Sequence, residues 1–174
     1  MQFLSRIFIV GILIIFGSSP VLANSTLDLL NATETGDVQS VKTLLKKGVF
    51  VDARSEKGYT PLLFAALNGH KDLAQLFVDQ GADVNAQAKD HWTPLLSAAA
   101  MGHTPVIKVL LHHGADMKTQ LATGDRALYL AAQNGHRPAV AVLLANQAQV
   151  DAQRQDGMSP LFVAVQNNHI EVVQ

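Results

Sequence analysis

The chain has 174 residues, and its 13 Lys and Arg against 14 Asp and Glu leave a formal charge of −1. That balance lacks the electrostatic footprint of a nucleic-acid binder, and the absence of cysteine excludes disulfides, thiolate metal sites and Cys nucleophiles. Charged residues make up 16% and apolar ones 48%, where roughly 25% charged is usual, so the chain can bury a core.

Arg6 is the only charged side chain before Asp28, and it precedes the apolar stretch Ile7 to Phe16. That stretch is shorter than the ~20 residues that span a bilayer. Gly17-Ser18-Ser19-Pro20 then breaks the helix, and Val21-Leu22-Ala23 offers small side chains to a signal peptidase. Residues 1–23 therefore read as a signal peptide cleaved after Ala23, with the mature protein periplasmic or secreted. The alternative is an uncleaved anchor over Ile7 to Ala23, the one case in which the protein meets a membrane.

After the signal, landmarks recur every 33 residues. Thr60-Pro61-Leu62, Thr93-Pro94-Leu95, Arg126-Ala127-Leu128 and Ser159-Pro160-Leu161 keep that step. So do Gly36-Asp37, Gly69-His70, Gly102-His103, Gly135-His136 and Asn168-His169. A fixed period without insertions is what stacked units require. Within one period, Thr60 reads as an N-cap and Pro61 as the first helical residue. Leu62, Ala65 and Ala66 form the buried stripe of a short helix that Gly69 ends. A second helix follows His70, with Leu73, Leu76 and Phe77 buried, and Gly81 closes it ahead of a hairpin-like loop.

The boundaries are a capping unit at 24–54, units at 55–87, 88–120 and 121–153, and an incomplete unit at 154–174. Asp28, Asn31 and Thr33, with Lys42, Lys46 and Lys47, give the first unit the wet outer face of a cap. The last stops at Glu171-Val172-Val173-Gln174 inside a second helix, and on that reading the sequence is a fragment or a truncated product.

The pattern G-x-T-P-L-x-x-A-A, then G-H, then G-A-D-V-N-A resembles the ankyrin repeat. Residues 58–62, 65–66, 69–70 and 81–85 carry it best, and it extends over about 27 to 174. The resemblance implies an all-α solenoid of stacked helix-turn-helix units with hairpin-like loops, acting as a protein-binding module. His91 replaces the turn Gly of the third unit, and as a residue that tolerates positive φ it should keep the turn. Arg126-Ala127 and Gln147 depart from the pattern in the fourth. Leu63, Leu96, Tyr129 and Phe162 stand where the family has His, which predicts apolar packing between units.

His70, His103, His136 and His169 cannot share one metal. Equivalent positions on stacked helices lie ~8–10 Å apart, whereas zinc binds His nitrogen at about 2.0–2.1 Å. They are expected to satisfy backbone groups at helix starts. No G-x-S-x-G, phosphate loop or H-E-x-x-H occurs, so the chain reads as a non-enzyme without cofactor, metal or small-molecule substrate. A His-dependent metal hydrolase is the remote alternative.

In the family, the loop tips and the exposed side of each first helix form the concave recognition surface. Carried over by position, the tip residues are Tyr59, Trp92, Asp125 and Met158, with Lys57, Asp90 and His91 beside them and Leu67 and Met101 at the helix ends. Trp92 is the only Trp, an aromatic with a polar handle suited to anchoring an interface. The competing reading is that Tyr59 and Trp92 merely pack on each other. The expectation is an exported module that grips a folded protein partner, neutralising a toxin or supporting an enzyme of the bacterial envelope. A membrane-anchored scaffold is the alternative.

Overall fold

The computed structural model describes residues 20–173, with side chains from Asn24 onward. The apolar run Ile7 to Phe16 lies outside the described residues. Among them are ten α-helices and no strand: α1 (Pro20–Glu34), α2 (Val38–Lys46), α3 (Pro61–Leu67), α4 (Lys71–Asp79), α5 (Pro94–Ala100), α6 (Thr104–His112), α7 (Ala127–Gln133), α8 (Arg137–Ala145), α9 (Pro160–Gln166) and α10 (Ile170–Val173). The helix α1 runs through Ala23 and Asn24, the bond at which cleavage is expected. No helix among the described residues is long and apolar enough to cross a membrane.

The helices form two layers. The first helices α1, α3, α5, α7 and α9 stack in chain order, and α4, α6 and α8 stack behind them, each unit closing its own helix pair. Alanine permits the close approach: Ala65, Ala66, Ala98, Ala99, Ala131, Ala132 and Ala164 are buried along the first layer. Leu73, Phe77, Ile107, Leu110 and Leu143 fill the space between the layers. One continuous core runs the length of the stack, as repeats that cannot bury their own faces alone require.

The start signals work locally. The hydroxyls of Thr60, Thr93 and Ser159 accept the backbone N–H of Leu63, Leu96 and Phe162 at 3.3, 3.3 and 3.2 Å. Arg126 occupies the same position before α7 and makes no capping bond. Positive φ is found at His91 (67°), as its residue type allows, and at Gln147 (67°). Leu63, Leu96 and Tyr129 are buried between units, as expected from their replacing a polar residue, whereas Phe162 is 55% exposed on the last first-layer helix.

The histidines correct one expectation. His70, His103 and His136 sit at the N-caps of α4, α6 and α8 without making a side-chain capping bond. Their Nε2 atoms reach back to the preceding unit instead, to the carbonyls of Glu34, Leu67 and Ala100, each at 3.0 Å. His169 does the same to Gln133 at 2.9 Å. A carbonyl only accepts, so Nε2 carries the proton in each. The groups satisfied are orphan carbonyls at helix ends, not N–H groups at helix starts.

Candidate functional site

The tips of the second and third units are tight turns tied to each other. Ala88 N–H donates to the Trp92 carbonyl at 2.9 Å, and Lys89 N–H donates across to the Lys57 carbonyl at 3.0 Å. Arg54 clamps the same pair of tips, its Nη1 donating to the carbonyls of Gly58 (3.2 Å) and Gln87 (2.8 Å). The tips of the second and third units are therefore linked and not independent loops.

Tyr59 and Asp90 are brought together: the phenol donates to Asp90 Oδ2 at 2.6 Å. Burial, then the hydrogen bond and charge of Asp90, push the Tyr59 hydroxyl up to about 12, so it stays neutral throughout the physiological range. Its ring leans on Phe64, with centroids 5.7 Å apart. The expected alternative of Tyr59 against Trp92 is thus replaced by Tyr59 against Phe64, a residue that the sequence reading did not single out. Trp92 is partly buried, one side against the core. Lys57, Asp90 and His91 are exposed, and Leu67 is half-buried with its carbonyl held by His103.

Asp125 does not belong to an exposed row. It is 8% exposed; Oδ2 accepts from the Thr123 hydroxyl, and Oδ1 lies 3.3 Å from Arg154 Nε without a hydrogen bond of good geometry. The physical reason is Arg154, which arrives from the next tip, faces Asp156 at 3.7 Å and lies 5.7 Å over the Tyr129 ring. Turned inward, the carboxylate keeps that cation and the Thr123 hydroxyl as partners in place of water. Met158 is also turned partly inward, its Sδ 3.8 Å from the Tyr129 hydroxyl. The tips of the fourth and fifth units are therefore closed on each other.

Met101 stands at the end of α5, 49% exposed. The equivalent residues of the second, fourth and fifth units are Asn68, Asn134 and Asn167. Asn134 Nδ2 donates to the Ala100 and Leu130 carbonyls at 3.1 and 3.0 Å, Asn167 to the Gln133 carbonyl at 2.9 Å, and Asn68 to the Phe64 carbonyl at 3.0 Å. Met101 has no such donor. On the opposite layer, a shallow open groove between α4 and α6 is lined by Lys71, Gln75, Thr104, Lys108 and His112. No group of three or more His, Asp or Glu that could hold a metal occurs among the described residues.

A family model described as ankyrin repeats (3 copies) matches residues 29–121 and 114–174. Taken with the stacked helix pairs and the seam of histidines, this makes the chain a member of the ankyrin-repeat family. It is also 42% identical over 52 residues, 30% of its own length, to an ankyrin repeat protein of fowlpox virus (strain NVSL). The aligned part covers 37% of that relative, so the similarity spans little more than a third of its length. Ankyrin repeats are protein–protein interaction modules, and the family typically supplies non-catalytic binding scaffolds.

Proposed function

We propose that this is an exported binding protein of the bacterial envelope that grips one folded protein partner with the tips and first-helix ends around Tyr59, Trp92 and Met101. Met101 carries the reading. Three units place an asparagine there, two of them donating to the preceding unit and Asn68 to its own helix, and the central unit gives up that donor for an exposed, polarisable side chain suited to irregular contact surfaces. Nothing in stacking rewards that exchange, so its use lies toward a partner. Trp92 and Leu67 supply the aromatic and aliphatic area beside it. Preassembled units lower the ordering cost of association. In the envelope the protein acts by occupying a surface, either neutralising a toxin or supporting an enzyme. Export is supported by Arg6, the apolar run that follows and Ala23 at its end.

The test is capture from a periplasmic extract with the wild-type protein and Met101→Asn as bait. Wild type should retain a discrete protein that Met101→Asn loses, while the unfolding transition of the variant is unchanged or higher. Equal retention by both, or none by wild type, refutes the binding reading. N-terminal sequencing checks export: a mature chain starting at Asn24 supports it, and an intact Met1 in the membrane fraction favours an anchored scaffold.

A further inference from the structure

The two helix layers differ in charge. The first helices α1, α3, α5, α7 and α9 carry Asp28 and Glu34 and no Lys or Arg. The second helices α2, α4, α6, α8 and α10 carry Lys42, Lys46, Lys71, Lys108 and Arg137 against Asp72, Asp79 and Glu171. All five cations are exposed. Among the described residues the ion pairs are those of Arg154 with Asp125 and Asp156, so none of the five has a carboxylate partner. Lys46 stands in the last turn of α2, where a cation suits the negative pole. Lys71 and Arg137 are the first residues of α4 and α8, at the positive pole, and Lys108 is in the middle of α6. Helix stability rewards none of these three.

Two of them face one groove, the cleft between α4 and α6. Lys71 and Gln75 line one wall and Thr104, Lys108 and His112 the other, at the four-residue step that puts side chains on one helix face, with Val109 buried beneath. Neither acid of α4 lines it. Asp79 instead accepts from Gln75 Nε2 at 2.8 Å, toward the end of the helix away from Lys71.

We propose that this groove is a second docking surface, which takes an acidic segment of a protein chain with its carboxylates set against Lys71 and Lys108. It lies on the layer opposite Met101 and stands apart from the binding reading above. Unpaired cations on both walls draw in a negative chain and orient it along the groove. The Gln75 amide, the Thr104 hydroxyl and the His112 ring offer it hydrogen bonds. An anionic bilayer fits less well, because no exposed large apolar side chain lies on α4 or α6 to enter the lipid.

Fluorescence anisotropy of the full chain with a labelled twelve-residue peptide of Glu, Asp, Ser and Gly gives the test. Wild type should bind it, more weakly as salt rises, and should ignore a peptide with Lys in place of each acid. Lys71→Gln with Lys108→Gln should weaken binding by about tenfold. Lys89→Gln with Lys118→Gln removes the same charge from exposed positions outside the groove, and should change the affinity by less than about twofold. No binding, undiminished affinity without Lys71 and Lys108, or equal loss in the two double variants overturns the proposal. So does binding to phosphatidylserine vesicles in place of the peptide. Capture through Met101 can succeed or fail in each of those cases, so the two readings are tested separately.

Discussion

His103 closes the unit before its own: its Nε2 lies 3.0 Å from the Leu67 carbonyl, and its ring covers Gly69 so closely that a Cβ there would stand 2.6 Å from Nδ1. The Gly-His pair of the repeat is thus two halves of different contacts. Each glycine receives the next unit's imidazole, and each histidine covers the previous unit's glycine.

Two glycines with similar backbone should therefore respond differently to alanine. Gly81 has φ of 82° and open space where a Cβ would go, whereas Gly69 has φ of 73° and the imidazole in the way. Gly81→Ala should cost about 1–2 kcal/mol for the left-handed backbone alone. Gly69→Ala should cost a further ~1–3 kcal/mol for overpacking. Urea midpoints of the two variants check this, and equal losses would contradict the seam.

The fourth unit should be the easiest to stabilise. Gln147 holds a φ of 67° where the earlier units have Gly48, Gly81 and Gly114, and Arg126 leaves α7 uncapped. Gln147→Gly should gain about 1 kcal/mol by releasing left-handed strain, and Arg126→Thr about 1 kcal/mol by restoring the cap. The two sites are read independently by denaturant melts of each single variant.

Asp52 and Asn85 hold equivalent loops, and comparing them gives a pH prediction. Both Asp52 carboxylate oxygens accept from Asp83 N–H, at 3.1 and 3.2 Å, as Asn85 Oδ1 accepts from Asp116 N–H at 2.8 Å. Burial first, and the nearby Asp83 charge, raise Asp52 above the usual carboxylate value despite that bond. A raised acid holds its proton longer in the folded chain, so this group favours folding below its titration and disfavours it above. Asp52→Asn should therefore melt higher at pH 7, with the advantage shrinking on acidification through the carboxylate range. Asp37 runs the other way: its side-chain and backbone bonds to Ser40 lower it, and the stability it gives above the usual range is lost in acid.

Tyr59 should titrate late. Its phenol, held to about 12 by burial and Asp90, is neutral in the folded chain while an unfolded one ionises near ~10. The associated stability is present below that point and lost as pH rises toward 12. An ultraviolet titration should show a late phenolate for Tyr59, and Asp90→Asn should bring it earlier. Coincident ionisation in wild type and variant would remove Asp90 from the cause.

Much of this architecture is legible in the spacing of Thr-Pro-Leu and Gly-His, because caps, proline at the first helical position and glycine at the end act within a few residues. Met101 is legible too: Asn68, Asn134 and Asn167 single it out by the period alone. Asp125 was not, since its inward turn depends on Arg154, which comes from the following tip. Nor was the direction of the histidines, because the carbonyl each one meets lies 36 residues earlier and only stacking brings it near. The Tyr59 bond to Asp90 was missed for the same reason, since Asp90 belongs to the next tip. Contacts within a unit follow from local sequence, whereas contacts between units need the stack.

That seam also gives assembly a direction. The carbonyls of Leu67, Ala100 and Gln133 each wait for an imidazole that is synthesised later. A nascent chain leaving the ribosome or a translocation channel therefore carries its newest helix pair unfinished, and each arrival from behind fastens the one ahead. A stall during synthesis would leave a single loose end, with every earlier pair already secured.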